Sequence, residues 1–320
     1  MEEQQLQNNQ QNQLRYAAVG MQGWRRSMED SHIANLDIGD GVSIFGVFDG
    51  HGGMNFSYDK IFLGSEVALF VKNHFIKELK KLESFKKKDY RVSLQEAFLK
   101  MDTMMLGKEG KKELLKLAKN SAHQDPNGGG IDMNGAQYDQ SYAGCTANVV
   151  MITKTEILCA NAGDSRSVLS KKGKCKDLSI DHKPDNPGEK RRIERANGFV
   201  QESRVNGMLA LSRAIGDFEY KGNPILKAED QIITAFPEIT VEKITNDSDF
   251  IICACDGIWD CLSSQEAVNY VAENLKKKKG KDSLGSLVEQ MLDSICASDV
   301  ASSGGVGCDN MTCLIVEFKK

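Results

Sequence analysis

Short apolar runs in this chain stop or start at aspartate. Residues 42–48 (VSIFGVF) end at Asp49-Gly50, residues 250–254 (FIICA) end at Cys255-Asp256-Gly257, and residues 311–318 (MTCLIVEF) begin directly after Asp309-Asn310. Runs of this length and composition, bounded by turn residues, read as buried strands. If the last strand is antiparallel to the other two, its start lies at the same sheet edge as their ends, and three carboxylates converge. Unpaired, they would repel one another, and burial would neutralise some of them. A divalent cation resolves both problems. Oxygen-only ligands select hard ions, which favours Mg²⁺ or Mn²⁺ over zinc. Against this stands a plainer account, because Asp-Gly is a common turn dipeptide and a single such pair is more often structural.

The rest of the chain supplies the frame. Residues 148–152 and 157–160 flank a polar break at 153–156 and predict a hairpin. Helical periodicity follows Ser65, with Val67, Val71, Phe75, Leu79 and Leu82 on one face and Ser65 as N-cap. It returns over 93–105, 265–275 and 284–295. Residues 107–143 include a Gly/Asn-rich stretch and read as a surface excursion. Hairpin-like strands with clustered helices predict packed sheets flanked by helices, not an alternating βαβ parallel sheet. Residues 1–13 (MEEQQLQNNQQNQ) have almost nothing to bury and read as a disordered tail. From 14 to 320 there is no internal repeat or long linker, which predicts a single domain.

Composition narrows the function classes. Forty-one basic against 45 acidic residues give a net charge of −4, which argues against a nucleic-acid surface. Nine cysteines without a repeating spacing point to a reduced compartment, cytoplasmic or nuclear. No basic-then-apolar leader opens the sequence, no apolar run nears the ~20 residues of a membrane span, and Glu2 stands where N-myristoylation requires glycine. No heptad seam demands assembly, so a monomer is expected.

Eight short motifs then occur in one order. They are Met21-Gln22-Gly23-Trp24-Arg25 through Glu29-Asp30; Phe48-Asp49-Gly50-His51-Gly52-Gly53; Gly144-Cys145-Thr146; and Asn161-Ala162-Gly163-Asp164-Ser165-Arg166. Asp181-His182-Lys183-Pro184 follows, then Arg204-Val205-Asn206-Gly207 with Leu211 to Asp217, Cys255-Asp256-Gly257-Ile258-Trp259-Asp260, and Asp309-Asn310. Each is weak alone. Together, spanning residues 14–320, they resemble the metal-dependent type 2C serine/threonine protein phosphatases. The resemblance implies an α+β fold of four layers, α/β/β/α, with two mainly antiparallel sheets at the centre. It implies phosphorylated protein substrates and two divalent cations, Mg²⁺ or Mn²⁺, with a weaker third ion. Asp49 would bridge two metals and the Gly50 carbonyl would ligate one. Asp256 and Asp309 would complete the first site, and Glu29 would hold the second metal through water, with Asp30 and Asn310 in support. Asp164 matches the third position, with Asp260 beside it. Arg25 matches the phosphate-gripping arginine and His51 the general acid, while a water or hydroxide bridging the metals attacks phosphorus. These residue types suit the chemistry, since a guanidinium meets phosphate oxygens bidentately and a serine alkoxide leaves more easily with a proton.

Two departures stand out. Residues 54–64 (MNFSYDKIFLG) intervene where the family enters a helix at once, an insertion at the mouth of the site that is a substrate rim, a tolerated loop or a mis-joined gene segment. Asn197-Gly198 stands where two glycines are common, and Asn tolerates positive φ. Residues 183–208 correspond to a flap beside the site. Competing classes are weaker. No Cys-x₅-Arg, P-loop or dinucleotide motif occurs, and a metal nuclease would want a basic groove. A catalytically silent relative would have lost acidic ligands that are all present here.

Overall fold

The computed structural model describes residues 14–52, 60–61, 64–122, 137–138, 143–277 and 283–319. Residues 1–13 and nearly all of the 54–64 insertion lie outside that set. Two sheets pack face to face. The first has strand order β1 (Leu14–Met21), β16 (Met311–Phe318), β15 (Ser248–Ala254), β9 (Arg166–Lys171) and β10 (Lys174–Asp177), antiparallel throughout. In the second, β3 (Ser43–Gly52) lies between β2 (Asp30–Asn35) and β7 (Ala147–Ile152), and β8 (Glu156–Ala162) and β14 (Glu238–Lys243) follow outward. Past β7, the end of β3 pairs instead with β6 (Ala143–Cys145), which in turn carries β13 (Ile215–Gly216). A parallel bridge joins β4 (Lys60–Ile61) to β5 (Gln137–Tyr138), and a hairpin pairs β11 (Val200–Gln201) with β12 (Arg204–Val205).

Alternation explains why the strand sequences are apolar without a break. Phe45 and Val47 face Ile251, Cys253, Leu314 and Val316 between the sheets. The other side of β3 sends Ile44 and Phe48 against Phe70, Phe75 and Phe98. These belong to α1 (Ser65–Leu79) and α3 (Tyr90–Leu106). In the same way β15 turns Phe250 and Ile252 outward onto Val268, Leu287 and Met291, from α7 (Ser264–Lys277) and α8 (Leu284–Ile295). A strand covered on both faces loses its polar alternation. The architecture is the four-layer α/β/β/α arrangement. Among the described residues no helix is long and apolar enough to cross a membrane.

Three expectations need correction. The last strand is antiparallel to β15, but β3 belongs to the other sheet, so the aspartates meet across the sandwich and not along one sheet edge. Ser65 is not the N-cap. Gly64 holds that place with no side-chain cap, because a Cβ there would lie 2.1 Å from the His51 backbone nitrogen. Finally, the excursion read over 107–143 begins as α4 (Lys108–Ala122), which packs on α1 and α3. Its buried stripe is narrow, Leu114 and Ala118 one turn apart, and the lysines around it hid the period.

The flap segment is anchored by α5 (Pro187–Arg195). Glu189, 6% exposed, accepts hydrogen bonds from Arg192 Nη1 at 2.6 Å, Arg213 Nη2 at 2.6 Å and Ser212 Oγ at 2.7 Å. Burial opposes its ionisation, but the Arg213 bond and the charges of Arg192 and Arg213 outweigh that and hold its pKa down at about 2. A carboxylate depressed from 4.5 adds stability above its unfolded pKa and loses it as pH falls toward the folded value. Glu189→Gln should therefore lower stability by about 3 kcal/mol at pH 7, because two buried guanidinium groups lose their partner. The deficit should shrink between pH 5 and 3, as denaturant titrations across that range will read.

Candidate metal centre and active site

The end of β3 is held by a single residue of the facing turn. Thr146 accepts the Asp49 N–H at its Oγ1 (3.2 Å) and donates its own N–H to the Asp49 carbonyl (2.8 Å). Next along β3, Gly50 donates its N–H to the Glu29 carbonyl at 3.2 Å. A Cβ at Gly50 would stand 2.5 Å from the Gly64 carbonyl oxygen, so this approach requires glycine. Asp256 opens α6 (Asp256–Trp259) directly after β15. That turn packs on the start of β16, since a Cβ at Gly257 would meet the Asn310 carbonyl at 2.1 Å. Asn310 clasps the loop carrying Arg25 and Glu29. Its Oδ1 accepts the Glu29 N–H at 2.8 Å, and its Nδ2 donates to the Gln22 and Ser27 carbonyls at 2.8 and 2.9 Å.

The carboxylates crowd together. Asp30 stands opposite Asp49 in the β2–β3 ladder, and one oxygen of each lies with Cys255 Sγ in a group no wider than 4.8 Å. Both Asp30 oxygens are buried without a hydrogen-bond partner. Burial, then the charges of Asp30, Asp256 and Asp164, hold the Asp49 carboxyl well above the usual range. Burial, with Asp164, Asp309 and Asp260, pushes Asp256 up to about 7, and burial above all pushes Asp30 to about 6. Burial also raises Glu29 and Asp260. The charges of Asp164 and Asp309 thus bear on Asp256 and Asp260, and those of Asp30 and Asp256 on Asp49.

Two cationic side chains reach the cluster. Arg25 Nη2 lies 2.5 Å from Asp309 Oδ2, and Lys183 Nζ is paired with Asp164. Arg25 keeps 61% of its side chain exposed. Arg26 is exposed as well. His51, one residue past Gly50, binds Asp217 Oδ2 through Nε2 at 2.7 Å. Burial opposes its protonation, but the Asp217 charge and hydrogen bond outweigh that and raise its pKa. Asp217 and Lys183 were quoted in the sequence motifs without a role. The signal was there, in the Gly216-Asp217 and His182-Lys183 pairs, but only the pairing of distant strands says what they touch.

The carboxylates at this rim, with the Gly50 carbonyl, form the donor set open to a metal ion. It is all oxygen, largely buried, and includes a carboxylate with no internal partner. Such a set fits hard divalent cations and is costly without them.

The chain matches one family over nearly its whole length. The protein phosphatase 2C family model covers residues 14–304. "Probable protein phosphatase 2C 3" of Paramecium tetraurelia is 45% identical over 306 residues, covering 95% of this chain and 92% of the relative. "Protein phosphatase 2C homolog 2" of Aspergillus fumigatus is 43% identical over 315 residues, 94% of this chain and 64% of the relative. A crystal structure of a phosphatase from a pathogenic strain of Toxoplasma gondii superposes with TM-score 0.69 at 22% identity, over 95% of this chain and 92% of its own, a likeness of fold. The chain belongs to the protein phosphatase 2C family, whose members are serine/threonine phosphatases.

Repulsion in the cluster has a measurable consequence. With chelator present, Asp256→Asn should raise the melting temperature, because it removes a buried carboxyl whose raised pKa costs about 4 kcal/mol of stability at pH 7. Saturating Mn²⁺ at ~100 Kd should stabilise the wild type by about 2.7 kcal/mol and the variant by far less. Calorimetric melting of both proteins, with and without the ion, reads the two effects. Equal responses would mean that the cluster does not bind metal.

Proposed function

We propose that this chain hydrolyses phosphoserine and phosphothreonine in protein substrates, using two Mg²⁺ or Mn²⁺ ions. The buried, mutually repelling carboxylates at the rim are the observation that carries the reading. Asp49, the Gly50 carbonyl, Asp256 and Asp309 would hold the first ions, with Glu29 acting through water. Asp164 supplies a weaker third position, with Asp260 beside it. Bound there, such ions supply Lewis-acid charge and bring the pKa of water toward neutrality.

The remaining chemistry belongs to the chain. Arg25 stands at the mouth with its guanidinium half free, suited to grip phosphate oxygens bidentately and orient phosphorus. Its present partner, Asp309, keeps it aimed at the cluster until substrate competes for it. His51 donates a proton to the departing seryl or threonyl oxygen. Asp30 stands beside Asp49 in the β2–β3 ladder and adds its charge to the cluster, while Asn310 holds the Arg25 loop in register.

Asp49→Ala should lower Mn²⁺-dependent hydrolysis of a phosphoserine peptide by at least ~1000-fold, the scale of losing an electrostatic element of a reaction site. Excess chelator should silence the wild type. Wild-type rates that survive chelation, or a variant as active as the wild type, would remove the metal-based reading. A wild type inert with Mg²⁺ and Mn²⁺ would favour a silent relative.

A further inference from the structure

Asp217 is a buried carboxylate beside the site that the reading above leaves without a task. It occupies the N-cap position of a short 3₁₀ turn, Phe218–Tyr220, where an aspartate side chain ordinarily accepts a backbone N–H. Here it caps nothing. Its side chain is 3% exposed, and it lies 2.7 Å from His51 Nε2. We infer that Asp217 is a positioning residue for the reaction: it holds the His51 imidazole by Nε2, so that the proton given to the leaving group comes from Nδ1. The inference rests on His51 being the general acid.

The backbone around Asp217 is built to aim that bond. The residue sits in the left-handed region, at φ +50° and ψ +47°, a conformation aspartate tolerates better than most residues. Gly216 before it has φ +85°. Three strand ends fix the pair, because His51 faces Gly144 in the β3–β6 ladder and Gly216 faces the same Gly144 in the β6–β13 ladder. A Cβ at Gly144 would fall 2.4 Å from Asp217 Oδ2 and 2.7 Å from His51 Nε2, so the bond exists only because position 144 carries no side chain. The Asp217 N–H donates to the Ala143 carbonyl at 2.9 Å. From outside, Asp102 of α3 accepts the Gly216 N–H at 2.8 Å and the Lys221 ammonium at 2.6 Å, and Lys221 also donates to the Ala214 carbonyl at 2.8 Å. The turn is pinned at both ends by these bonds.

The proton bookkeeping is simple. With both ring nitrogens protonated, Nε2–H donates to the Asp217 carboxylate, which stabilises the imidazolium. As the bond from phosphorus to the seryl oxygen breaks, its electron pair stays on that oxygen, and Nδ1–H protonates it. The ring is left neutral, with its remaining proton on Nε2 still donated to Asp217. This is the division of labour known for a histidine oriented by a buried aspartate, run here in the acid direction.

The test compares leaving groups. A serine alkoxide needs a proton, whereas p-nitrophenolate leaves without one. With Mn²⁺ bound, Asp217→Asn should lower kcat on a phosphoserine peptide by ~100-fold and on p-nitrophenyl phosphate by less than ~3-fold, with KM for the peptide nearly unchanged. His51→Gln should show the same selectivity, and the double variant should be no worse than either single one. Equal losses on both esters for Asp217→Asn, with His51→Gln selective, would overturn the positioning role alone. Equal losses for His51→Gln as well would overturn both it and the general-acid reading. A second measurement does not depend on a variant folding: nitrogen NMR of the wild-type ring with Mg²⁺ should place the neutral-state proton on Nε2. A proton on Nδ1 in that state would overturn the inference.

Discussion

Like charges forced together by a fold are its most expensive feature, and here the fold forces at least four carboxylates into one buried space. At an effective dielectric near 20, two charges ~4–5 Å apart repel by about 3–4 kcal/mol, before the loss of hydration is counted. Nothing in the core needs Asp30, Asp49, Asp164 and Asp256 side by side. Each could be an amide and the strands would pair equally well. The cost is met in part by Arg25 on Asp309 and Lys183 on Asp164, which bring positive charge to the edge of the cluster but not to its centre. A centre that only small, doubly charged ions can satisfy is the physical reason this chain is read as metal-dependent.

The sandwich gathers these groups by register. Asp49 ends the paired stretch opposite Asp30, Ala254 pairs with Cys313 two residues before Asp256, and Met311 pairs with Met21. Strand ends from both sheets therefore open onto the same rim. Backbone-to-backbone approach then closes the gaps that side chains would fill, at Gly50 against Gly64 and at Gly257 against Asn310. Gly163 belongs to the same set. Its φ is +126°, and a Cβ there would meet the Thr146 side chain at 2.6 Å, so the turn carrying Asp164 rests on the residue that also clamps Asp49.

What could be read from the sequence follows from how local each feature is. The β16 boundaries, the β7–β8 hairpin and the α7 and α8 stretches rest on neighbouring residues, and the pattern alone placed them. The meeting of Asp49 with Asp256 was legible as strand ends followed by glycine, yet the single-edge geometry was not, because sheet membership depends on pairing across 200 residues. Helix α4 was missed because lysines surround its buried positions, Gly110, Leu114 and Ala118, and Ser65 was misread because a tight backbone contact, not a side-chain hydrogen bond, sets that helix start. Asp217 illustrates the limit most clearly. Its neighbours in sequence mark it as a turn residue, while its partner His51 lies 166 positions away.

The flap segment continues the same logic outward. His182 binds the turn before Asp164, with its N–H to the Gly163 carbonyl at 2.9 Å and its Nδ1 accepting the Gly163 N–H at 3.3 Å. Its carbonyl accepts both the N–H and the hydroxyl of Ser212, and Ser212 in turn contacts Glu189. An unbroken chain of hydrogen bonds thus runs from the acid cluster into α5. Farther out the surface changes character: Phe199 is 51% exposed, Met208 45% and Ile225 90%. The segment is thus held at its base by ion pairs around Glu189, while apolar side chains stand at the outer surface. The ion pair of Lys183 with Asp164 sits at the inner end of that hydrogen-bond chain, away from the exposed apolar edge.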